Sequence, residues 1–398
     1  PDIAGSQFKA DPFPFLARLR AEEPVWRTRL RDGTEAWLLT RYEDVSSLLR
    51  DARFAKSRQA AMTREQLGRQ PWVPPVFRPL LRNMLDLDPP DHTRLRALVQ
   101  TAFAPRLIER MRGRIRALAD ELLDAAVRRG AMDLIRDYAL PLPVTVIAEI
   151  LGVPRRDHGR FHQWSKSMVS VDSINGSLRA MPSVWMFLRY LRRFFRIRRA
   201  DPGEDLTSAL LRAEESGDTL SEDELLAMVF LLLVAGHETT VNLIGSGMLA
   251  LLQNPGPMEE LRRDPSLASS AVEELLRYTA PVFLSTERFA REDVAICGVT
   301  IPRGALTFGV IGSANRDETV FERPDELDLA RANNKHLSFG NGIHYCLGAP
   351  LARLEAQIAI NTLLARLPDL RLQGRPEALV WRPSLILRGL EALPVEFS

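Results

Sequence analysis

The chain has 398 residues, 45% hydrophobic and 26% charged, enough for a large buried core in one domain or for two or three domains. A net charge of +2, from 53 basic and 51 acidic residues, excludes the overall polycation that would grip nucleic acid. Two widely separated cysteines, Cys297 and Cys346, exclude a disulfide framework and point to a reducing compartment.

In chain order, the opening Pro1-Asp2-Ile3-Ala4-Gly5-Ser6 carries no apolar run of signal or anchor length. The first β-type stretch is Ala36-Trp37-Leu38-Leu39-Thr40, bounded by turn and charged residues. Helical periodicity then predicts helices over roughly 91–103, 106–129, 143–151, 159–170, 182–199, 221–253 and 266–278. Strands return over 294–301 and 305–310, joined by Pro302-Arg303-Gly304, and a helix over 350–366 follows. Cys297 falls in the alternating 294–301 stretch and reads as core packing. No repeat, low-complexity tract or linker interrupts the pattern, so a single domain over 1–398 is expected, mainly α with a small β part.

Within the predicted helix 184–196 the chain reads Val184-Trp185-Met186-Phe187-Leu188-Arg189-Tyr190-Leu191-Arg192-Arg193-Phe194-Phe195-Arg196, aromatic and strongly basic. Such a helix can lie on an anionic membrane surface, or keep its arginines in water without touching a membrane.

The helix over 221–253 starts at a capping box, Ser221 as N-cap and Glu224 three residues on, and must stop before Pro255. At 1.5 Å per residue it is about 45 Å long, and its apolar first half should cross the interior. The apolar run from Leu225 to Gly236 is shorter than the about 20 residues of a membrane span. At mid-helix stands Ala235-Gly236-His237-Glu238-Thr239-Thr240. Burying that polar cluster is costly without partners or a task. Glu238 and Thr239 set a carboxyl beside a hydroxyl, a proton-delivery pair, and Gly236 lets a flat group lie against the backbone. The alternative is a kink in which Thr239 bonds back to a preceding carbonyl. Residue 241 is valine, which excludes the His-Glu-x-x-His zinc motif.

The most informative segment is Leu337-Ser338-Phe339-Gly340-Asn341-Gly342-Ile343-His344-Tyr345-Cys346-Leu347-Gly348. Its glycines permit a tight turn, and Cys346 falls at the predicted helix start with Pro350 in the first turn. Free N–H groups and the positive end of the helix dipole there favour the thiolate, the form that binds metal. A buried structural cysteine is the alternative for a lone cysteine, but not for one inside Phe-Gly-x-Gly-x-His-x-Cys-x-Gly.

That ten-residue pattern resembles the haem-binding signature of the cytochrome P-450 family, and every fixed position is matched. The mid-helix segment is similar to the family's oxygen-binding motif, with Glu where Asp is more frequent. Glu274-Leu275-Leu276-Arg277 matches its Glu-x-x-Arg, a structural brace. The family often completes that brace with an arginine in Pro-x-Arg-Phe; here Pro324-Asp325-Glu326-Leu327 puts glutamate in that place, and Arg323 is the nearby candidate to replace it.

The resemblance, which runs over nearly the whole chain, implies the family's fold: one triangular, helix-rich domain enclosing haem b (iron protoporphyrin IX). It implies Cys346 as iron ligand, His92, Arg96, Arg288 and His344 as propionate partners, and Ala235, Gly236, Phe339, Gly340 and Gly348 along the cofactor. It also implies Thr239 hydrogen-bonding to dioxygen at the haem, Glu238 relaying protons, and Leu85, Val234, Ala235, Val282, Phe283 and Ile386 lining a lipophilic substrate pocket. The basic helix around 184–196 is then expected to roof the substrate channel, with its arginines in water and no membrane association.

The implied activity is a monooxygenase, hydroxylating or epoxidising a lipophilic small molecule. Without a flavin or dinucleotide fingerprint, electrons are expected from a ferredoxin and ferredoxin reductase, docking on arginines such as Arg353, Arg112 or Arg116. The expected protein is a cytoplasmic monomer of secondary metabolism, with no nucleic-acid partner. A peroxygenase or other haem-thiolate reaction, and a non-catalytic haem sensor, are the alternatives; the Glu238-Thr239 pair argues against the sensor.

Overall fold

A computed structural model describes the chain except residues 69–76, 78, 81, 104, 161–163, 165–173 and 216–219, and the side chains of 101, 102, 105–107, 174–180 and 213–215. The chain divides into two compact units: residues 1–63, 112–142 and 239–398, and residues 64–111 and 143–238.

The first unit holds the sheets. β1 (Val25–Arg29) and β2 (Glu35–Leu39) form a hairpin, Val25 opposite Leu39. β2 runs parallel to β8 (Leu306–Gly309), which pairs antiparallel with β5 (Arg288–Ala290), and β5 with β3 (Phe54–Ala55), giving the order β1-β2-β8-β5-β3. A second sheet joins β4 (Ala131–Asp133), β10 (Pro394–Glu396) and β9 (Arg371–Leu372). The five-stranded sheet packs its apolar side chains against a core that includes Leu16, Leu19, Leu38, Phe283, Phe289 and Phe308. Burying a side chain of that size contributes about 1.5–3 kcal/mol.

The stretch expected as one strand over 294–301 is a hairpin of β6 (Val294–Ile296) and β7 (Val299–Ile301). Cys297 and Gly298 form its turn with φ of 48° and 77°. A two-residue turn with both φ positive suits the twist of paired strands, and glycine second is its usual signal. Cys297 is therefore exposed, not core, and its thiol donates to Asp44 Oδ2 at 3.3 Å.

Six predicted helices are observed, at Asp91–Ala102, Pro105–Val127, Pro141–Ile150, Glu222–Gln253, Ala268–Thr279 and Ala349–Arg366. The helix expected over 182–199 starts earlier, at Ile174, and runs to Ala200 with Pro182 inside it. That expected over 159–170 lies largely outside the described residues. Short helices at Phe13–Glu22, Tyr42–Leu48 and Pro255–Arg263 escaped the periodicity, which needs three or more turns to register. Pro255, expected as a stop, also opens the next helix, where its missing N–H costs nothing.

The capping box of the Glu222–Gln253 helix is formed. The Glu224 carboxylate accepts from the Ser221 N–H at 2.8 Å, and the Glu224 N–H donates to Ser221 Oγ at 3.2 Å. Among the described residues this is the one helix long and apolar enough to cross a membrane, but 67% of its most apolar window is buried. It is a core helix. Burial is most complete in its second half, where every residue from Thr240 to Ala250 is buried. Earlier, one face opens at Leu231, Val234, Ala235 and Thr239, spaced i, i+3, i+4 and i+8.

Candidate functional site

In the first unit, the chain after Leu337 folds into a tight loop closed by the Cys346 N–H donating to the Phe339 carbonyl at 2.9 Å. Gly340 and Gly342 have φ of 74° and 72°, a region that L side chains avoid. A β-carbon on Gly342 would also lie 2.9 Å from the Leu49 carbonyl oxygen. The following helix begins at Ala349 with Pro350 at its second position, so Cys346 stands three residues ahead of the helix and not within it. The Ala349 N–H reaches the Cys346 carbonyl at 3.4 Å. A β-carbon on Gly348 would sit 4.0 Å from the cysteine Sγ, an ordinary contact, and its φ of −80° is open to any residue. Neither space nor conformation demands glycine at 348.

The loop is anchored on the Ala268–Thr279 helix. Ser338 Oγ donates to the Leu276 carbonyl at 2.7 Å, and Asn315 Oδ1 accepts from the Leu337 N–H at 2.8 Å. Glu273 accepts from Arg353 Nε and Nη2 at 2.7 and 2.9 Å and pairs with His336 Nε2 at 3.1 Å. Burial would raise its carboxyl, but the hydrogen bonds from Arg353 and His336 outweigh that and bring it down to about 2. Arg353 also stacks its guanidinium 4.5 Å from the centre of the Phe339 ring. Arg353, expected as a docking residue, is half-buried and engaged by Glu273 and Phe339; Arg112 and Arg116 are exposed.

Glu274 and Arg277 are fully buried and paired through two hydrogen bonds of 2.8 Å. The Arg277 fork also reaches the carbonyls of Asn315, Pro324 and Glu326. The replacement for the missing arginine is Arg331, not Arg323. Arg331 Nε lies 3.2 and 3.1 Å from the two Glu274 oxygens, and Asn334 and the Asp328 N–H bond the same carboxylate. Arg323 sits on the surface with Glu326, which supplies only its backbone carbonyl to the brace.

The other predicted residues divide between the units. In the first, Arg288 is buried on β5, His344 is half-buried, and Thr239 lies on the open face of the long helix. Val282 and Ile386 are brought together: Val282 bridges to Leu387, and the Phe283 N–H donates to the Ile386 carbonyl at 2.7 Å. The Phe283 ring itself turns into the core against Phe8 and the Lys9 ammonium, so its backbone, not its ring, stands at this wall.

In the second unit, His92 is buried on the Asp91–Ala102 helix with half-buried Arg96 one turn on, and Leu85 is half-buried in the preceding loop. Val234, Ala235 and Gly236 are accessible, and Glu238 is buried with His237 Nε2 3.7 Å away. His237 Nδ1 meets the Leu233 carbonyl at 2.6 Å. A β-carbon on Gly236 would lie 3.2 Å from Ile147, so this glycine also serves helix packing.

The donor set fits a haem on chemistry. Cys346 offers one half-buried thiol, and among the described residues no cluster of three or more His, Cys, Asp or Glu could hold a metal ion by itself. A metal there would draw its other ligands from a cofactor. Buried Arg288 and His92 are suited to carboxylates, as haem propionates are.

Sequence reasoning missed Glu355. It is fully buried on the Ala349–Arg366 helix, and neither carboxyl oxygen reaches a well-formed hydrogen bond. Burial holds its carboxyl well above the ordinary 4.5, opposed only weakly by the Thr240 hydroxyl. The sole sequence signal is a carboxylate on the buried face of an apolar helix. Because the folded-state value is raised, its contribution to stability is complete below the unfolded value of 4.5 and is lost as pH rises through the folded one. Glu355→Gln is therefore expected to flatten the decline of the urea midpoint between pH 5 and pH 8. An unaltered pH slope would show that Glu355 ionises without penalty.

The family model described as Cytochrome P450 matches residues 186–368. The chain is 49% identical over 393 residues to Cytochrome P450 107B1 of Saccharopolyspora erythraea, covering 98% of this chain and 95% of that one. It is 46% identical over 397 residues to the polyketide biosynthesis cytochrome P450 PksS of Bacillus subtilis, covering 99% and 98%. Among solved structures, the myxobacterial CYP267B1 in complex with myristic acid superposes with a TM-score of 0.93 at 44% identity, covering 100% and 98%.

Proposed function

We propose that this chain, which belongs to the cytochrome P450 family and is a monooxygenase, inserts one atom of dioxygen into a lipophilic small molecule by hydroxylation or epoxidation. The observation that carries the reading is the loop closed by Cys346 and Phe339 ahead of the Ala349–Arg366 helix, with its thiol half-buried. The cofactor is a haem, in our reading haem b, which supplies the activation of dioxygen when bound.

The residues then take these roles. Cys346 would hold the haem iron through its sulfur, and the nearby helix N-terminus favours the thiolate. His92, Arg96, Arg288 and His344 would neutralise the propionates, and Phe339, Gly340 and Gly348 would border the cofactor. Ala235 and Gly236, small and accessible, would leave room along the long helix for a flat cofactor and substrate. Glu238 takes protons from solvent and passes them to Thr239 Oγ1, its neighbour on the helix. Leu85, Val234, Val282 and Ile386, with the Phe283 backbone, wall an apolar pocket. A substrate of polyketide or fatty-acyl character is supported by PksS, which serves polyketide biosynthesis, and by the myristic acid bound to CYP267B1. Electrons come, in this reading, from a ferredoxin and its reductase. We place the protein in the cytoplasm as a monomer serving secondary metabolism.

Labelled dioxygen supplied with ferredoxin, reductase and an apolar acid or macrolide should place one labelled atom in product. Turnover that needs peroxide and ignores ferredoxin would replace the reading with a peroxygenase. Thr239→Ala should keep haem and substrate affinity while product formation drops by roughly 10²-fold and electrons emerge as peroxide or water. Normal coupling in that variant would remove Thr239 from proton delivery.

A further inference from the structure

We infer that the solvent face of the Ile174–Ala200 helix is a docking surface for an acidic, helical protein. The helix carries seven arginines, no lysine and no acidic residue, in a chain whose net charge is only +2. Its inner face is already committed, with Phe187, Leu191, Phe194 and Phe195 buried. The outer face holds large apolar side chains in water: Trp185 is 55%, Met186 43% and Ile197 49% exposed.

The order of residues around that face decides the partner. At about 100° per residue, the exposed arc runs roughly 160° from Arg199 and Arg192, through Trp185, Arg196, Arg189 and Arg193, to Met186 and Ile197. Arginine thus occupies one edge and the centre, with Trp185 among it, and Met186 and Ile197 form the other edge. A helix that lies in a bilayer interface has the opposite order, an apolar centre flanked by cations, and here insertion would bury Arg189 and Arg196 in hydrocarbon. Arginine, tryptophan and methionine without lysine is instead the composition of protein interfaces.

Charge placement completes the argument. Arg192 is engaged by Glu222 and Asp223 at 3.3 and 4.0 Å. Among the described residues no carboxylate pairs with Arg189, Arg193 or Arg196. Those three stand four and three positions apart, a row that carboxylates at the same spacing on a partner helix would match, each taken by a planar guanidinium fork. Trp185, with the Arg189 guanidinium 5.5 Å from its ring centre, supplies the apolar anchor.

The test uses the haem-loaded full chain and a fluorescein-labelled helical peptide with glutamates at i, i+4 and i+7 beside one leucine edge. Arg189→Glu/Arg196→Glu should weaken the anisotropy-measured affinity by more than roughly tenfold. Trp185→Ala should weaken it at unchanged salt dependence. Arg155→Glu/Arg156→Glu, an equal charge change at side chains 78% and 82% exposed in the same unit, should leave it unaltered. No peptide binding, or equal binding by all variants, overturns the inference. So does co-sedimentation with phosphatidylglycerol vesicles that Arg189→Glu/Arg196→Glu abolishes while the peptide stays unbound, which would assign the face to lipid.

Discussion

Cys346→Ser is expected to abolish the strongly red-shifted Soret band that the dithionite-reduced protein should give with carbon monoxide, and to lower oxygenation by roughly 10²-fold or more. The side chains have nearly the same shape, so the loop closed by the Cys346 N–H on the Phe339 carbonyl should persist. What changes is the donor. A serine hydroxyl does not ionise near neutral pH, whereas a thiol gives up its proton far more readily, and only the soft anionic sulfur pushes electron density onto the iron. Haem should still enter, because Arg288 and His92 are untouched. An unshifted carbonyl band in Cys346→Ser and a shifted one in the parent would assign the ligand. A shifted band in both would remove Cys346 from that role. Failure of the parent to take up haem would overturn the site as a whole.

Glu274→Gln should be the most destabilising single change in the brace, costing about 3–5 kcal/mol. Glu274 is wholly buried and its two oxygens serve Arg277, Arg331, Asn334 and the Asp328 N–H together. Neutralising it leaves two inward guanidinium groups, with side-chain exposures of 0% and 8%, without their anion. Arg331→Ala removes one arm only, and Arg277 then still pairs with Glu274, so a smaller loss of about 1–3 kcal/mol is expected. The readouts are the urea midpoint followed by tryptophan fluorescence and the rate of haem release. Because Ser338 bonds the Leu276 carbonyl on the same helix, loosening the brace should also speed haem release. A Glu274→Gln variant as stable as the parent would show that the two arginines find other partners. Equal losses for Glu274→Gln and Arg331→Ala would show that Arg277 contributes nothing through this carboxylate.

The order of these effects was not legible in the chain. Glu274-x-x-Arg277 reads from sequence as a helical ion pair, and most such pairs lie in water and contribute little. Its burial became visible only with the fold, as did the identity of Arg331, which lies 57 positions from Glu274 and outside the Pro-x-Arg-Phe frame. Arg323 was the nearer candidate in sequence, but it points to solvent and pairs with Glu326. Arg353 shows the same limit: its charge is visible in sequence, its commitment to Glu273 and Phe339 is not.

Cys297 failed for a different reason. A two-residue turn leaves the apolar alternation of its strands intact on both sides, so the period reads as one long strand. The Cys297-Gly298 pair was the available signal, because glycine at the second turn position admits the positive φ.

The sequence by itself determined the helical class, the capping box at Ser221 and Glu224, and the Phe339–Gly348 loop with its thiol ahead of a helix. These are local properties, set by glycine conformations, hydrogen bonds spanning a few residues and a period of 3.6, and they survive in any fold that contains them. Tertiary structure decided which charges are buried, which partner each one takes, and that burial raises the Glu355 carboxyl well above its ordinary range beside Thr240. Burial and pairing depend on residues tens to hundreds of positions apart, and the energy of a charge depends on how much water is left around it.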